Sequence, residues 1–304
     1  MRKVLVTGAS GFIGTHLCRT LKQHGHRVLG LDRAGNSNGL DPASEFILGD
    51  ILEVDWGPIL SWGPDVMIHL AETANVGKSF QDLHAEIANS LMVTSFVLEK
   101  WKLRPSMKLL YVSSAAVYGN QTRETYHEDL PCAPVSPYGV CKHASEQLVR
   151  IAAAQHGLSY VIARPFSVYG TGLKKQVVYD LTRRFLSERA KIVVFGTGKE
   201  KRDFVNVRDC CSSLSKIADS IETVAPATVN IGTGKATTLS TLVSLIAAQT
   251  GCREEYEFAG KDAPGNPEHL IADTTRLGTM GVECTIALED GLPEVIDSIR
   301  NGSR

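Results

Sequence analysis

The sequence predicts an α/β protein, a doubly wound parallel sheet with a smaller C-terminal α/β lobe. Three observations carry that expectation. Short apolar runs rich in β-branched residues alternate with helical stretches through about residue 165. The first run, Val4-Leu5-Val6, passes directly into a turn holding Gly8, Gly11 and Gly14. Beyond Arg164-Pro165 the strands shorten and glycine-rich turns interrupt them.

The opening run suits a strand buried on both faces, as in a parallel sheet. In Thr7-Gly8-Ala9-Ser10-Gly11-Phe12-Ile13-Gly14 the glycines stand where a dinucleotide pyrophosphate needs them. Gly8 permits the tight turn, Gly11 lets backbone approach phosphate, and Gly14 lets helix pack on strand. A helix over residues 14–24 follows, and N–H groups from about Gly11, through Phe12 and Ile13, face the phosphates. The second strand, residues 26–31, ends at Asp32, whose carboxylate can accept hydrogen bonds from an adenosine ribose. The arrangement is therefore Rossmann-like. NAD is expected over NADP, because Asp32 repels a ribose 2′-phosphate. Arg33 beside it is the residue that could hold that phosphate.

Further strands are expected at residues 45–48, 65–70, 108–113 and 159–163, with helices at roughly 79–102 and 138–156. Right-handed crossovers then place ligands at the carboxyl ends of the strands. Beyond 165, short strands at 192–195, 204–207 and 227–231 accompany Gly-Thr-Gly turns at 170–172, 196–198 and 232–234. Their irregular spacing argues against a repeat array. The last four residues, from Asn301, are expected to fray.

Lysine plus arginine number 32 against 33 acidic residues, which gives no electrostatic reason to expect nucleic acid or an anionic membrane. No apolar run approaches the ~20 residues of a membrane span. The chain enters a strand at once, without a secretory pattern. Seven cysteines with no CxxC pair read as reduced thiols in a cytoplasm, and no metal site is expected.

Tyr138 and Lys142 lie four apart after Pro137, so a helix starting there projects both from one face. An ammonium near a phenol lowers its pKa. Such a tyrosine can take or return a hydroxyl proton near neutral pH. Ser114, after the strand KLLYVS, can donate to an oxygen that alternates between alcohol and carbonyl. Ser113 competes with it for that place. His69 reads as a packed core histidine. Lys174-Lys175 and Arg183-Arg184 read as solvated helix charge. Residues 89–103 carry Leu91, Met92, Phe96 and Val97 around much of a helix, which points to full burial, in part against a second subunit.

Together TGASGFIG (7–14), GDI (49–51), HLAETANV (69–76), Asn89, VSSAAVYG (112–119), SPYGVCK (136–142), RPFSVYG (164–170), KRDFVNVRD (201–209) and NIGTG (230–234) carry a resemblance over nearly the whole chain. The sequence resembles the extended short-chain dehydrogenase/reductases acting on nucleotide sugars, the epimerases and dehydratases among them. The resemblance implies Ser114, Tyr138 and Lys142 as the catalytic triad. It implies NAD held by Gly8, Gly11, Phe12, Ile13, Gly14, Asp32, Arg33, Asp50, Ile51, Leu70, Ala71, Glu72, Asn89, Tyr138, Lys142 and Pro165. It implies a nucleotide-sugar substrate met by Ser114, Ala115, Tyr138, Ser167, Val178, Arg202 and Leu270. Residues 1–165 would be the NAD-binding domain, with some later segments crossing back, and 166–304 mainly the nucleotide-sugar lobe. A homodimer through the helices at about 89–103 and 138–156 is implied too.

Departures from the family pattern narrow the subclass. Ala115-Ala116 stands where 4,6-dehydratases carry an Asp-Glu pair and decarboxylases a glutamate. Water elimination needs a general acid that alanine cannot supply. Ser167 replaces a frequent asparagine, and Ala263 replaces an arginine that would grip the diphosphate. Leu270 falls where such epimerases set the size of the hexose pocket. Glu72 replaces a usually small residue. The expected activity is NAD-dependent epimerisation of a nucleotide sugar at C4, through a transient 4-keto sugar. The alternatives are an NAD(P)H-dependent 4-keto-sugar reductase and a dinucleotide-sensing binding protein.

Overall fold

The first strand, β1 (Lys3–Thr7), is buried over its last four residues, as its apolar sequence requires. In the computed structural model, which describes residues 1–35, 45–187, 191–252, 255–260 and 267–302, a glycine turn joins it to α1 (Phe12–Gln23). The helix starts two residues before the expected position, because Gly14 packs inside its first turn. Next come β2 (Arg27–Asp32), β3 (Glu45–Leu48), α2 (Trp56–Trp62) and β4 (Val66–His69).

In place of one helix over 79–102 the chain forms α3 (Val76–Gln81), α4 (Leu83–Ala88) and α5 (Leu91–Trp101). Asp82 makes the first break: its carboxylate accepts the Ala85 N–H as the cap of α4. Ser90, at φ −134° and ψ −83°, makes the second. Aspartate binds nearby backbone more readily than it sits inside a helix, whereas Ser90 breaks the helix through its backbone alone, with no side-chain cap bond. Helix α5 buries Val93, Thr94, Val97, Leu98 and Trp101. Met92 is 55 % exposed, so the full burial expected of residues 89–103 does not hold within one chain.

The chain continues through β5 (Lys108–Val112), α6 (Pro137–His156), β6 (Tyr160–Pro165), β7 (Ser167–Tyr169), α7 (Gln176–Ser187) and β8 (Ile192–Val194). Then follow β9 (Lys201–Arg202), β10 (Phe204–Asn206), α8 (Val207–Asp219), α9 (Ile221–Val224) and β11 (Ala227–Ile231). The remainder is β12 (Thr237–Thr238), α10 (Leu239–Thr250), β13 (Tyr256–Phe258), β14 (His269–Leu270), α11 (Thr275–Thr279) and α12 (Leu288–Gly302). Asn301 and Gly302 continue α12, and residues 303–304 lie outside the described residues.

Seven strands, all paired parallel, form the main sheet in the order β11-β6-β5-β4-β1-β2-β3. Strand order reverses at β1, so a crevice opens between the ends of β1 and β4, the usual ligand position in such sheets. Leu17, Leu21, Leu214 and Ile217 of α1 and α8 cover one face. Ile59, Val97, Trp101 and Val149 of α2, α5 and α6 cover the other. A separate core gathers Phe185, Ile192, Leu242, Ile246 and Leu292. Among the described residues no helix is long and apolar enough to cross a membrane.

Candidate active site

The turn after β1 leaves no room for a side chain at positions 8 and 14. Gly8 has φ +73°, and a Cβ on it would stand 2.8 Å from the Ala71 nitrogen at the end of β4. A Cβ on Gly14 would stand 2.1 Å from the Gly8 carbonyl oxygen. Any larger residue would therefore push α1 off the strand. Gly11 caps α1 without a side-chain acceptor, which leaves the first-turn N–H groups, those of Phe12 and Ile13 among them, to an anion.

Asp32 is fixed at the end of β2, its two oxygens accepting the N–H groups of Ser10 at 3.0 Å and Ala34 at 2.9 Å. The Arg33 guanidinium donates to Asn89 Oδ1 at 3.1 Å, and Asn89 donates to the Ala85 carbonyl at 2.8 Å. Asp50 accepts the Leu52 N–H at 2.9 Å, and Ile51 is buried beside Trp56. Thr7 Oγ1 accepts from Leu70 N at 3.2 Å and Ala71 N at 3.4 Å, tying the two strand ends together. Pro165 ends β6. A glycine cradle over a helix N-terminus, with a carboxylate at the next strand end, fits a dinucleotide that carries a free ribose 2′-hydroxyl.

Ser114 follows β5 in extended backbone, and its Oγ accepts the Ala116 N–H at 3.2 Å. Its rival Ser113 is spent elsewhere, donating to the buried Glu146 at 2.7 Å. Successive strand residues point to opposite faces, so Ser114 remains for the site. Ser136 Oγ accepts the Gly139 N–H at 3.1 Å, and Pro137 opens α6. Tyr138 and Lys142 are buried one turn apart on that helix.

The Lys142 ammonium donates to the Val112 carbonyl at 2.9 Å and pairs with Glu72 at 2.7 Å. It also lies 5.2 Å from the centre of the Tyr111 ring. Burial pulls its pKa down, but Glu72 and Tyr138 more than offset this and it lies above the ordinary value. Lys142 is therefore charged at neutral pH. His69 is held neutral by burial, its pKa lowered to about 4, and its Nδ1 lies 2.7 Å from Thr7 Oγ1. That is the packed role expected for it.

Arg202 of β9 pairs in register with Leu270 of β14. Its guanidinium donates to the carbonyls of Pro267 at 2.6 Å and Glu268 at 3.3 Å. Leu270 shares one buried cluster with Ala115, Tyr118 and Phe166. Val178 packs in a different one, with Phe185 and Leu242. Ser167 donates its N–H to the Asp203 carbonyl at 3.0 Å. Lys175 precedes α7 and donates to the Ala74 carbonyl at 2.6 Å, so it bridges to the loop after β4 rather than forming solvated helix charge. Ala263 lies outside the described residues.

The sequence profile of the NAD dependent epimerase/dehydratase family matches residues 4–232. The chain belongs to this family. The putative UDP-glucose 4-epimerase of Methanocaldococcus jannaschii is 29 % identical over 308 residues, covering 99 % of each chain. Among solved structures, the UDP-glucuronic acid 4-epimerase of Bacillus cereus, in complex with UDP-glucuronic acid and NAD, superimposes with a TM-score of 0.90. It is 30 % identical, with 98 % of this chain and 99 % of that one covered. The UDP-glucose 4-epimerase of Thermotoga maritima with UDP-glucose gives 0.90 at 27 % identity, covering 99 % and 100 %.

As a member of this family the chain has one polar layer that its motifs do not disclose. Tyr111 and Thr94 both donate to Glu72, deep beside Lys142. Thr94 is a polar residue on the buried face of α5, and Tyr111 is a phenol in a wholly buried strand stretch. Buried hydroxyls need partners, and that need was the available signal.

Proposed function

We propose that this chain is an NAD-dependent epimerase acting at C4 of a nucleoside-diphosphate hexose, with a UDP-sugar as substrate. The observation that carries the reading is Tyr138 one helical turn from a charged Lys142 on α6, whose first turn packs against the segment that carries Ser114. Tyr138 takes the proton of the C4 hydroxyl and returns it. Ser114 donates to the same oxygen while it is a carbonyl. NAD, held by the Gly8–Gly14 turn and Asp32, supplies a reversible hydride acceptor. Ala115 and Ala116 place no acid beside Ser114, which disfavours loss of water. The test is incubation of the purified protein with UDP-glucose and UDP-glucuronic acid, with and without NADH. Interconversion of C4 epimers without added reductant is expected. No interconversion of either alcohol, with NADH consumed only when a UDP-4-keto sugar is supplied, would make it a keto-sugar reductase.

The second lobe supplies the nucleotide-sugar grip, with Arg202 on the diphosphate and Leu270 beside the hexose. A charge-assisted contact is worth ~1.5–3 kcal/mol, so Arg202→Ala should raise the substrate KM by ~10–150-fold. Steady-state kinetics checks this, and an unchanged KM would reduce Arg202 to a brace for Pro267 and Glu268. The protein acts as a homodimer in the cytoplasm. In support, α5 packs on α6 while Met92, Val140 and Ile151 of these helices are 55 %, 52 % and 61 % exposed. Its seven cysteines are free thiols. Two such helices from each copy can pair as a four-helix bundle. Light scattering at micromolar concentration should give twice the chain mass, and a monomer would contradict the pairing.

A further inference from the structure

We propose that Glu72 is a positioning residue for the acid–base chemistry: its carboxylate holds the Lys142 ammonium as a buried, neutral ion pair, so Tyr138 works beside that pair rather than beside a bare cation. The proposal rests on reading Tyr138 as the acid–base group. Both partners are deeply buried, with side chains 6 % and 1 % exposed for Lys142 and Glu72, and they meet at 2.7 Å. The carboxylate is itself over-determined. Tyr111 Oη donates to its two oxygens at 3.1 and 3.2 Å, and Thr94 Oγ1 donates to one of them. A carboxylate anchored by strand β5 and helix α5 gives the flexible lysine stem one place to end. The Val112 carbonyl, at 2.9 Å, fixes a second of its three protons.

The surrounding groups leave Glu72 as the counter-charge in direct contact with Lys142. On β4, His69 is neutral, its Nε2 3.7 Å from Glu72. On β5, burial first, with Glu72 adding to it, keeps Tyr111 protonated. On α4, the buried Glu86 accepts from Thr73 Oγ1 at 2.7 Å and adds a weaker anionic pull on Lys142 than Glu72 does. On α6, burial keeps Cys141 a thiol, and Glu146 is committed to Arg164 at 2.6 Å. Lys142 thus carries the positive charge and Glu72 cancels it. A neighbouring cation favours a phenolate, and a neighbouring anion opposes it. The pair therefore leaves Tyr138 without the full pull that a lone ammonium would exert on its proton, and removing the anion should favour the phenolate.

The test is a pH titration of Tyr138 in the NAD-loaded protein, followed by NMR of 13Cζ-labelled tyrosine, with Tyr138→Phe identifying the signal. It requires no turnover, so it is independent of whether the substrate reading holds. In Glu72→Gln the Tyr138 midpoint should fall by about one pH unit. Glu72→Ala, which also removes the charge, should move it the same way. Glu72→Asp, which keeps the charge, should leave it close to wild type. On an active substrate, the acid limb of kcat/KM should shift with the midpoint. A midpoint unchanged or raised on loss of the charge would overturn the proposal and leave Glu72 a structural partner of Tyr111 and Thr94.

Discussion

Tyr138→Phe should lower turnover by ~10²–10⁴-fold, the usual contribution of a positioned acid–base group, while NAD affinity stays close to wild type. The substitution removes one oxygen. Lys142 keeps its bonds to Val112 and Glu72, which do not pass through the phenol. The buried ring is retained, so α6 has no cavity to collapse into. Lys142→Met should behave differently. It leaves Glu72 as an uncompensated buried carboxylate and, on the proposed reading, takes an ammonium from beside the cofactor, so binding and turnover should fall together. Calorimetric titration with NAD beside initial-rate kinetics separates the two patterns. Wild-type turnover in Tyr138→Phe would remove that residue from the mechanism.

Arg164→Met should destabilise the protein by ~3–5 kcal/mol, the range for breaking one side of a buried ion pair. Arg164 donates to Glu146 through Nε at 2.8 Å and Nη2 at 2.6 Å, and to the Glu128 carbonyl through Nη1 at 3.1 Å. Glu146 is fully buried and also accepts from Ser113. Removing the guanidinium strands that carboxylate in the core behind the strand end that carries Ser114. Adding Glu146→Gln removes the stranded charge and should restore a large part of the loss. Urea unfolding of the two variants checks the sign and size. Equal stability of Arg164→Met and wild type would mean that Glu146 finds another partner, Arg150 at 3.6 Å being the nearest to hand.

Much of this architecture was legible from short-range patterns. Gly8 and Gly14 announce themselves because their neighbours tolerate no Cβ, at 2.8 and 2.1 Å. Tyr138 and Lys142 announce themselves because four residues in a helix is one turn. Asp32 follows from the end of one recognisable strand. Interactions between distant segments were not legible. Glu72 could be seen as a departure, but its partners at 94, 111 and 142 come from three other elements that only the sheet brings together. The break at Asp82 was missed because the apolar pattern of residues 79–102 reads as one helix. A side-chain cap outcompeted it. Met92 is apolar yet exposed in the single chain, because hydrophobicity does not say which apolar residues face the chain's own core and which face outward.

The most direct measurement of the central claim is the fate of deuterium at sugar C4. With a UDP-hexose deuterated there, NAD-loaded enzyme and no added NADH, the epimerised product should retain its deuterium at C4, because the same hydride leaves and returns. Loss of the label to water, or conversion only when NADH is supplied, would contradict the account.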